Sequence, residues 1–226
     1  METLYIIPAR GGSKGIPGKN IKELNGKPLI YYTIDVARKF APDELICVTT
    51  DDKQIISRVE EYALKVPFIR PEELATDTAG TYEVLLHALG YYEEKGFKIK
   101  NIVLLQPTSP FRTPDHVKEA LMLYTEDIDM VISVKETKAN PYYILAEENE
   151  NGFLEKSKVG QFSRRQDTPK VYEYNGAVYV INVRSLKCSP ISSFTKVKKY
   201  VMDEYHSLDL DTQLDWYIAE CLMEKA

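Results

Sequence analysis

Between Pro8 and Lys19 the chain reads Pro-Ala-Arg-Gly-Gly-Ser-Lys-Gly-Ile-Pro-Gly-Lys, a glycine-rich stretch carrying three cations, Arg10, Lys14 and Lys19. Glycines such as Gly11 let main-chain N–H groups approach an anion, Ser13 adds a hydroxyl donor, and the cations balance phosphate oxygens. The stretch therefore suits a polyphosphate. Its glycines at 11, 12, 15 and 18 fit neither the dinucleotide pattern G-x-G-x-x-G nor the triphosphatase pattern G-x-x-x-x-G-K-S/T. Standing alone, the same residues would also serve as a basic surface turn between a strand and a helix. Near the other end, Asp209 and Asp211 are spaced to fall on one side of an extended segment. Such a pair suits Mg²⁺ (or Mn²⁺), which takes one or two carboxylates and shares a substrate's phosphate oxygens. Solvated acidity before a helix, complementing its dipole, is the alternative reading.

Apolar strand-like runs that alternate with helical periodicity must position these groups, the pattern of an α/β fold with a mainly parallel sheet. Leu4 to Ile7 reads as the first strand and Pro28 to Phe40 as a helix. Leu45 to Thr49 is a second strand, and Asp51-Asp52 caps a helix from Gln54 to Leu64. Val66 to Ile69 reads as a third strand, broken by Arg70-Pro71. Thr78 or Thr81 begins a long helix closed by Gly96, and Ile102 to Leu105 is an apolar strand of the kind buried on both faces. Thr113-Pro114-Asp115 starts another helix and Met130 to Val134 another strand, giving β-α four times in succession. The rhythm then breaks. Residues 136–174 carry an Asn151-Gly152 turn and several aromatics, a pattern suited to a small hairpin arm or, alternatively, to a solvated loop insertion. Ala177 to Ile181 is a return strand, and a helix from Thr212 to Met223 opens with capping-box spacing at Thr212 and Asp215. Residues 1–226 thus read as one domain, with the arm inserted in it.

Composition narrows the function classes. A net charge of −5 argues against a protein that coats nucleic acid, and positive charge is local to the glycine loop. Cys47, Cys188 and Cys221 lie far apart, and His87, His116 and His206 make no ligand spacing, so neither a disulfide framework nor structural zinc is indicated. No signal-peptide pattern or membrane-length apolar run is visible, so no membrane partner and a cytoplasmic location are expected. The missing fingerprint glycines also disfavour a dinucleotide-dependent oxidoreductase.

Ligands of open α/β sheets bind beyond the carboxyl ends of the strands. Grouping the residues there brings Arg10, Ser13 and Lys19 together with Arg70, with Gln106, Thr108 and Ser109, and with Asp209 and Asp211. Cations and hydroxyls facing two carboxylates suit a nucleoside triphosphate with a divalent cation. A module that binds a nucleotide without catalysis would have no need of both aspartates together with Lys19. Among aromatic residues, Tyr142, Tyr143 and Tyr179 are the candidates to sit beside a sugar, whereas Tyr31-Tyr32 and Tyr91-Tyr92 lie on helices and read as packing.

The segments Ala9 to Gly15 with Lys19-Asn20, Arg70 to Ala75 with Asp77-Thr78, Leu105 to Pro110 with Arg112, Asn175-Gly176-Ala177 and Asp209 to Thr212 together carry a resemblance that runs end to end. The chain resembles the CMP-acylneuraminate synthetases, cytidylyltransferases that activate sialic acid and related nine-carbon 2-keto sugar acids (nonulosonates). The resemblance implies a Rossmann-like three-layer nucleotidyltransferase fold and a homodimer formed through a β-hairpin arm. It implies a reaction in which the anomeric hydroxyl attacks the α-phosphate of CTP and pyrophosphate leaves. Carried over by position, Arg10, Gly11, Ser13, Lys19, Asn20, Arg70 and Thr81 match nucleotide-binding residues, with Arg10, Lys19 and Asp211 in catalytic roles. Gln106, Thr108, Arg165, Gln166 and Tyr179 match the sugar side, Arg165 reaching toward the neighbouring subunit's site, and Asp209 and Asp211 match the metal pair. Gly15 departs from the enzymes of the eight-carbon acid Kdo, whose loop resembles A-R-x-x-S-x-R-x-P-G-K-P and places arginine there. Pro141-Tyr142-Tyr143 stands where sialic-acid enzymes can carry a lysine, so the choice among N-acetylneuraminate, Kdn and legionaminate stays open. A Kdo-type or other sugar nucleotidyltransferase, and a non-catalytic nucleotide-binding module, are the alternatives.

Overall fold

The computed structural model describes residues 2–76 and 79–224. Six strands form the central sheet: β1 (Glu2–Pro8), β4 (Ile46–Thr49), β5 (Ile99–Leu104), β6 (Met130–Glu136), β9 (Tyr172–Asn182) and β10 (Val197–Val201). Two-residue strands β2 (Glu23–Leu24) and β3 (Lys27–Pro28) pair with each other, as do β7 (Ala146–Glu148) and β8 (Leu154–Lys156). The main sheet runs in the order β10-β6-β9-β5-β1-β4. Its pairs are parallel except that β9 runs antiparallel to both neighbours, so the return strand sits in the middle of an otherwise parallel sheet.

Helices cover both faces, which is why the central strands carry consecutive apolar residues, as in Leu4 to Ile7, Ile102 to Leu104 and Ala177 to Val178. In β1, Tyr5 and Ile7 point to one layer and Leu4 and Ile6 to the other, as the two-residue period of a strand requires. The first layer holds α1 (Leu29–Ala37), α2 (Lys53–Glu61) and α4 (Pro114–Leu123) through Ile30, Ile34, Ile55, Val59, Val117 and Ala120. The second holds α3 (Thr81–Glu94) and α5 (Val183–Cys188) through Leu85, Leu89 and Leu186. A smaller cluster joins Ile16 of the glycine loop to Leu210 and to Trp216 of α6 (Gln213–Met223). That apolar contact fastens the start of the chain to its end.

Several expectations hold and some need correction. Thr212 and Asp215 form the capping box of α6, and Thr113 forms one with His116 at the start of α4. Residues 66–69 are not a full strand: they contribute one parallel bridge, Thr50 to Ile69. Pro67 has no N–H to donate and Ile69 is exposed, so nothing extends the ladder. The fourfold β-α alternation is accordingly three strands and a bridge. Helix α3 begins at Thr81 behind Gly80; Thr78 lies outside the described residues. The inserted segment does contain a hairpin, β7 to β8, turned at Gly152 with φ +79°. Among the described residues no helix is long and apolar enough to cross a membrane.

Candidate active site

The glycine loop is held from three sides. Gly11 N–H donates to Asp51 Oδ1 at 3.1 Å, and Asn20 Nδ2 donates to Arg10 O at 3.0 Å. Asp52 caps α2 by accepting from Gln54 N–H at 2.7 Å. The two aspartates expected to share a helix cap therefore divide the work: Asp52 caps, and Asp51 latches the loop. On the third side, Lys19 Nζ donates to Leu210 O at 2.6 Å and to Asp211 Oδ1 at 3.0 Å. The Lys19 side chain is 11% exposed and that of Asp211 70% exposed, so the pair spans from the interior of the cleft to its mouth.

Asp209 and Asp211 approach the loop through the strand-end segment after β5. Leu210 N–H donates to Thr108 O at 2.9 Å, which stitches the acidic segment to Gln106-Pro107-Thr108. Asp209 Oδ1 is buried with no hydrogen-bond partner, and so is Thr108 Oγ1. Burial pushes the Asp209 carboxyl above the usual carboxylate range; the nearby Thr108 hydroxyl lowers it without completing a hydrogen bond, and the Asp211 charge raises it further. Gly176 sits at φ +71°, and a Cβ there would stand 2.8 Å from Gln106 Oε1, so only glycine lets the Gln106 side chain lie where it does. The preceding residue, Asn175, is buried; it accepts from Ser133 Oγ at 2.6 Å and donates to Ser207 Oγ at 2.9 Å, two residues before Asp209.

Three adjoining cavities follow from this arrangement. A cleft of about 350 Å³ is lined by Arg10, Ser13, Lys19 and Asn20 of the loop and by Gln106, Thr108 and Asp211. A second, of about 330 Å³, shares Arg10 and adds Arg70 and Thr81. A third, of about 610 Å³, adds Tyr174 and Tyr179 to Thr81 and Gln106 and has an apolar wall of Ile132, Ile191 and Phe194. Gln106 borders both the first and the third. Arg70 faces inward: its Nε donates to Thr49 Oγ1 at 3.1 Å and its Nη2 to Thr49 O, and burial lowers its pKa. Its guanidinium thus holds the segment beside the second cavity to the end of β4.

Arg165 and Gln166 are not brought to these cavities within the chain. They line a separate cleft of about 510 Å³ at the base of the arm, where Arg165 Nη2 donates to Lys138 O at 3.1 Å. Tyr142 is also elsewhere, its ring against Phe162 and under Lys158. Tyr174 is a site neighbour that the sequence reading missed. It lies five residues from Tyr179, and in a regular strand they would face opposite sides. The register of β9 shifts, with Val134 opposite Tyr174 and Ile132 opposite Tyr179, and this bulge turns both rings to one cavity. Among the described residues no group of three or more His, Cys, Asp or Glu side chains is arranged to hold a metal ion.

Comparison with known proteins gives the family and the fold. A family profile described as Cytidylyltransferase matches residues 4–224. The chain is 32% identical over 225 residues to a Legionella pneumophila protein named CMP-N,N'-diacetyllegionaminic acid synthase, covering 99% of this chain and 97% of that one. It is 35% identical to the N-acylneuraminate cytidylyltransferase of Escherichia coli over 98% of its own length, but spans 52% of that relative. A solved structure of CMP:2-keto-3-deoxy-manno-octonic acid synthetase complexed with CTP superposes with a TM-score of 0.74 at 17% identity, covering 100% of this chain and 99% of the other, which shows the shared fold. With the glycine loop, the strand-end motif and Asp211 gathered around one cleft that Asp209 itself does not line, and with the profile spanning residues 4–224, the chain belongs to the cytidylyltransferase family.

Proposed function

We propose that the protein joins CMP from CTP to the anomeric hydroxyl of a nine-carbon 2-keto sugar acid, releasing pyrophosphate. The observation that carries this reading is the pair of hydrogen bonds that Lys19 Nζ donates to Leu210 O and Asp211 Oδ1, which ties the cationic loop to the acidic segment at the rim of one cleft. Arg10, Ser13, Lys19 and Asn20 hold the triphosphate there, and Arg70 and Thr81 border the space for base and ribose. Gly11, expected among the nucleotide-binding residues, lines neither cavity and gives its N–H to Asp51, so it fixes the loop instead. Arg10 and Lys19 stabilise the charge that grows on the transferring phosphate; such a displacement needs positioning and electrostatic compensation rather than a protein nucleophile. Gln106 and Tyr179 face the sugar, Gln106 at the junction where the anomeric hydroxyl meets the phosphate, while Thr108, expected on the sugar side, lines the phosphate cleft.

Asp209 and Asp211 suit a divalent cation. One buried carboxylate oxygen without a partner beside one open carboxylate is a hard oxygen pair of the kind Mg²⁺ or Mn²⁺ takes. Bound there, the ion would neutralise charge on the triphosphate oxygens. The hairpin arm, with Phe153 and Leu154 exposed, joins two copies into a homodimer, and Arg165 and Gln166 serve the neighbouring copy's sugar site. Gly15 favours a nine-carbon acid over Kdo, and the names of the relatives support that class. The cytoplasm, where nucleoside triphosphates are made, is the working compartment.

The test is pyrophosphate release with CTP or UTP, Mg²⁺ and each of N-acetylneuraminate, Kdn, legionaminate and Kdo. Turnover is expected with CTP and a nine-carbon acid, and Asp211→Ala should abolish it while the protein stays folded. Full activity in that variant removes the proposed metal role, and turnover with Kdo alone overturns the substrate class.

A further inference from the structure

Arg112 lies beneath the floor of the site, 4% exposed. Its Nη1 donates to Gln106 O at 3.0 Å and to Ala177 O at 2.8 Å, and its Nη2 donates to Thr33 Oγ1 at 2.7 Å. Its Nε has no hydrogen-bond partner, and among the described residues no carboxylate pairs with the guanidinium. Burial alone pulls its pKa down to about 9, so it remains a cation at neutral pH. A buried cation without a counter-ion is an expensive way to fill space, and an apolar side chain of similar volume would serve packing better. What the arginine does that an apolar residue cannot is bridge two main-chain carbonyls with one planar group.

Those carbonyls belong to the strand-end segment after β5 and to the bulged part of β9. They flank the contact in which the Gln106 side chain lies against Gly176. Gln106 is also the side chain that borders both the phosphate cleft and the large apolar-walled cavity. A shift of its main chain would therefore be felt at the junction between them. We propose that Arg112 is a positioning residue for the transfer reaction, fixing the main chain of Gln106 against β9 so that its side chain stays at that junction. The proposal rests on the reading of the cleft as the nucleotide site and the cavity as the sugar site.

The experiment compares Arg112→Lys, Arg112→Met, Gln106→Ala and the double variant Arg112→Lys/Gln106→Ala. Lysine keeps the charge but loses the bridging plane, so kcat should fall between about 10-fold and 100-fold, as misplacement near the reacting atoms predicts, with KM for CTP within about threefold. If Arg112 acts through Gln106, the double variant should be no slower than Gln106→Ala alone. Hydrogen exchange supplies a readout independent of turnover: the amides of Gln106, Thr108, Ala177 and Val178 should exchange at least about 10-fold faster in Arg112→Met, while β4 is unchanged. Wild-type kcat in Arg112→Lys, multiplying effects in the double variant, or unchanged exchange at Gln106 and Ala177 would each overturn the proposal. If the wild type releases no pyrophosphate with any nine-carbon acid, the functional reading fails instead, and the exchange measurement still decides whether Arg112 holds Gln106.

Discussion

A single added methyl at position 15 tests whether the two ends of the chain must meet to within contact distance. The backbone of Gly15 is outside the left-handed region, so glycine is required there by proximity and not by its dihedral angles. A Cβ would press into the main-chain carbonyl of Asp211, with the carbonyl carbon at 3.2 Å and the oxygen nearer still. Neither side can yield by turning a side chain. Leu210 is fully buried and its N–H is held by Thr108 O at 2.9 Å, and Ile16, next to Gly15, is fully buried in the same cluster. Gly15→Ala must therefore push the loop and the acidic segment apart by on the order of 1 Å, a displacement that costs roughly 100-fold in rate at a reacting site. In activation free energy that is about 2.7 kcal/mol. The assay is the initial rate of pyrophosphate release at saturating CTP and sugar acid, with a thermal melt to show that the fold survives. Wild-type kcat in a folded Gly15→Ala protein would refute the claim that the loop and Asp211 act as one site.

Two further perturbations have signs fixed by the structure. Burial holds the Asp209 carboxyl above its unfolded value, so its neutral form is the one the fold prefers. Its contribution to stability is greatest below the unfolded pKa and is lost as pH rises through the folded one. Asp209→Asn should thus melt higher than wild type at pH 7 without divalent cations, the gap closing toward acidic pH, while turnover falls by roughly 100-fold or more; a lower melting temperature at neutral pH would contradict the burial argument. Leu154 is 76% exposed on the hairpin and Phe153 69% exposed beside it. If the arm joins two copies, Leu154→Glu should halve the mass seen by light scattering and leave the far-ultraviolet spectrum unchanged, and an unchanged mass would show that the arm is not the interface.

Much of the site was legible because its parts follow strand ends, and a doubly covered sheet collects strand ends on one edge. Arg10, Ser13, Lys19, Gln106, Thr108 and Asp211 needed no knowledge of strand order to be grouped, and they line one cleft. The capping boxes at Thr113 and Thr212 depend on neighbours three residues away, so local sequence sufficed for Thr212 and pointed to Thr113. What escaped depends on distant pairing. The antiparallel course of β9 and its bulge are set by which strands flank it, and the bulge alone turns Tyr174 toward the cavity. Arg70 was readable as a site residue by position, but that its guanidinium is engaged with Thr49 depends on the 70–74 segment folding back over β4. The third strand is absent for a reason visible in the sequence, since Pro67 has no N–H to give a ladder.

The charges in the cleft explain why its two ends had to be brought together. The molecule is acidic overall, and a triphosphate approaching it would be repelled except where Arg10, Lys14 and Lys19 concentrate positive charge. Placing Asp211 beside them, with Asp209 next in line, works against that attraction, and the burial of Asp209 makes its ionised form costlier still. An arrangement built only to bind a nucleotide would drop both carboxylates and gain affinity. Keeping them is sensible if a divalent cation lies between them and the phosphates, because each carboxylate then becomes a ligand where it would otherwise repel. CTP should consequently bind more tightly to Asp209→Asn than to wild type in the absence of divalent cations, and the order should reverse when Mg²⁺ is added. Calorimetry on the two proteins reads both conditions, and a wild type that binds CTP equally well with and without Mg²⁺ would leave the acidic pair without a role in nucleotide binding.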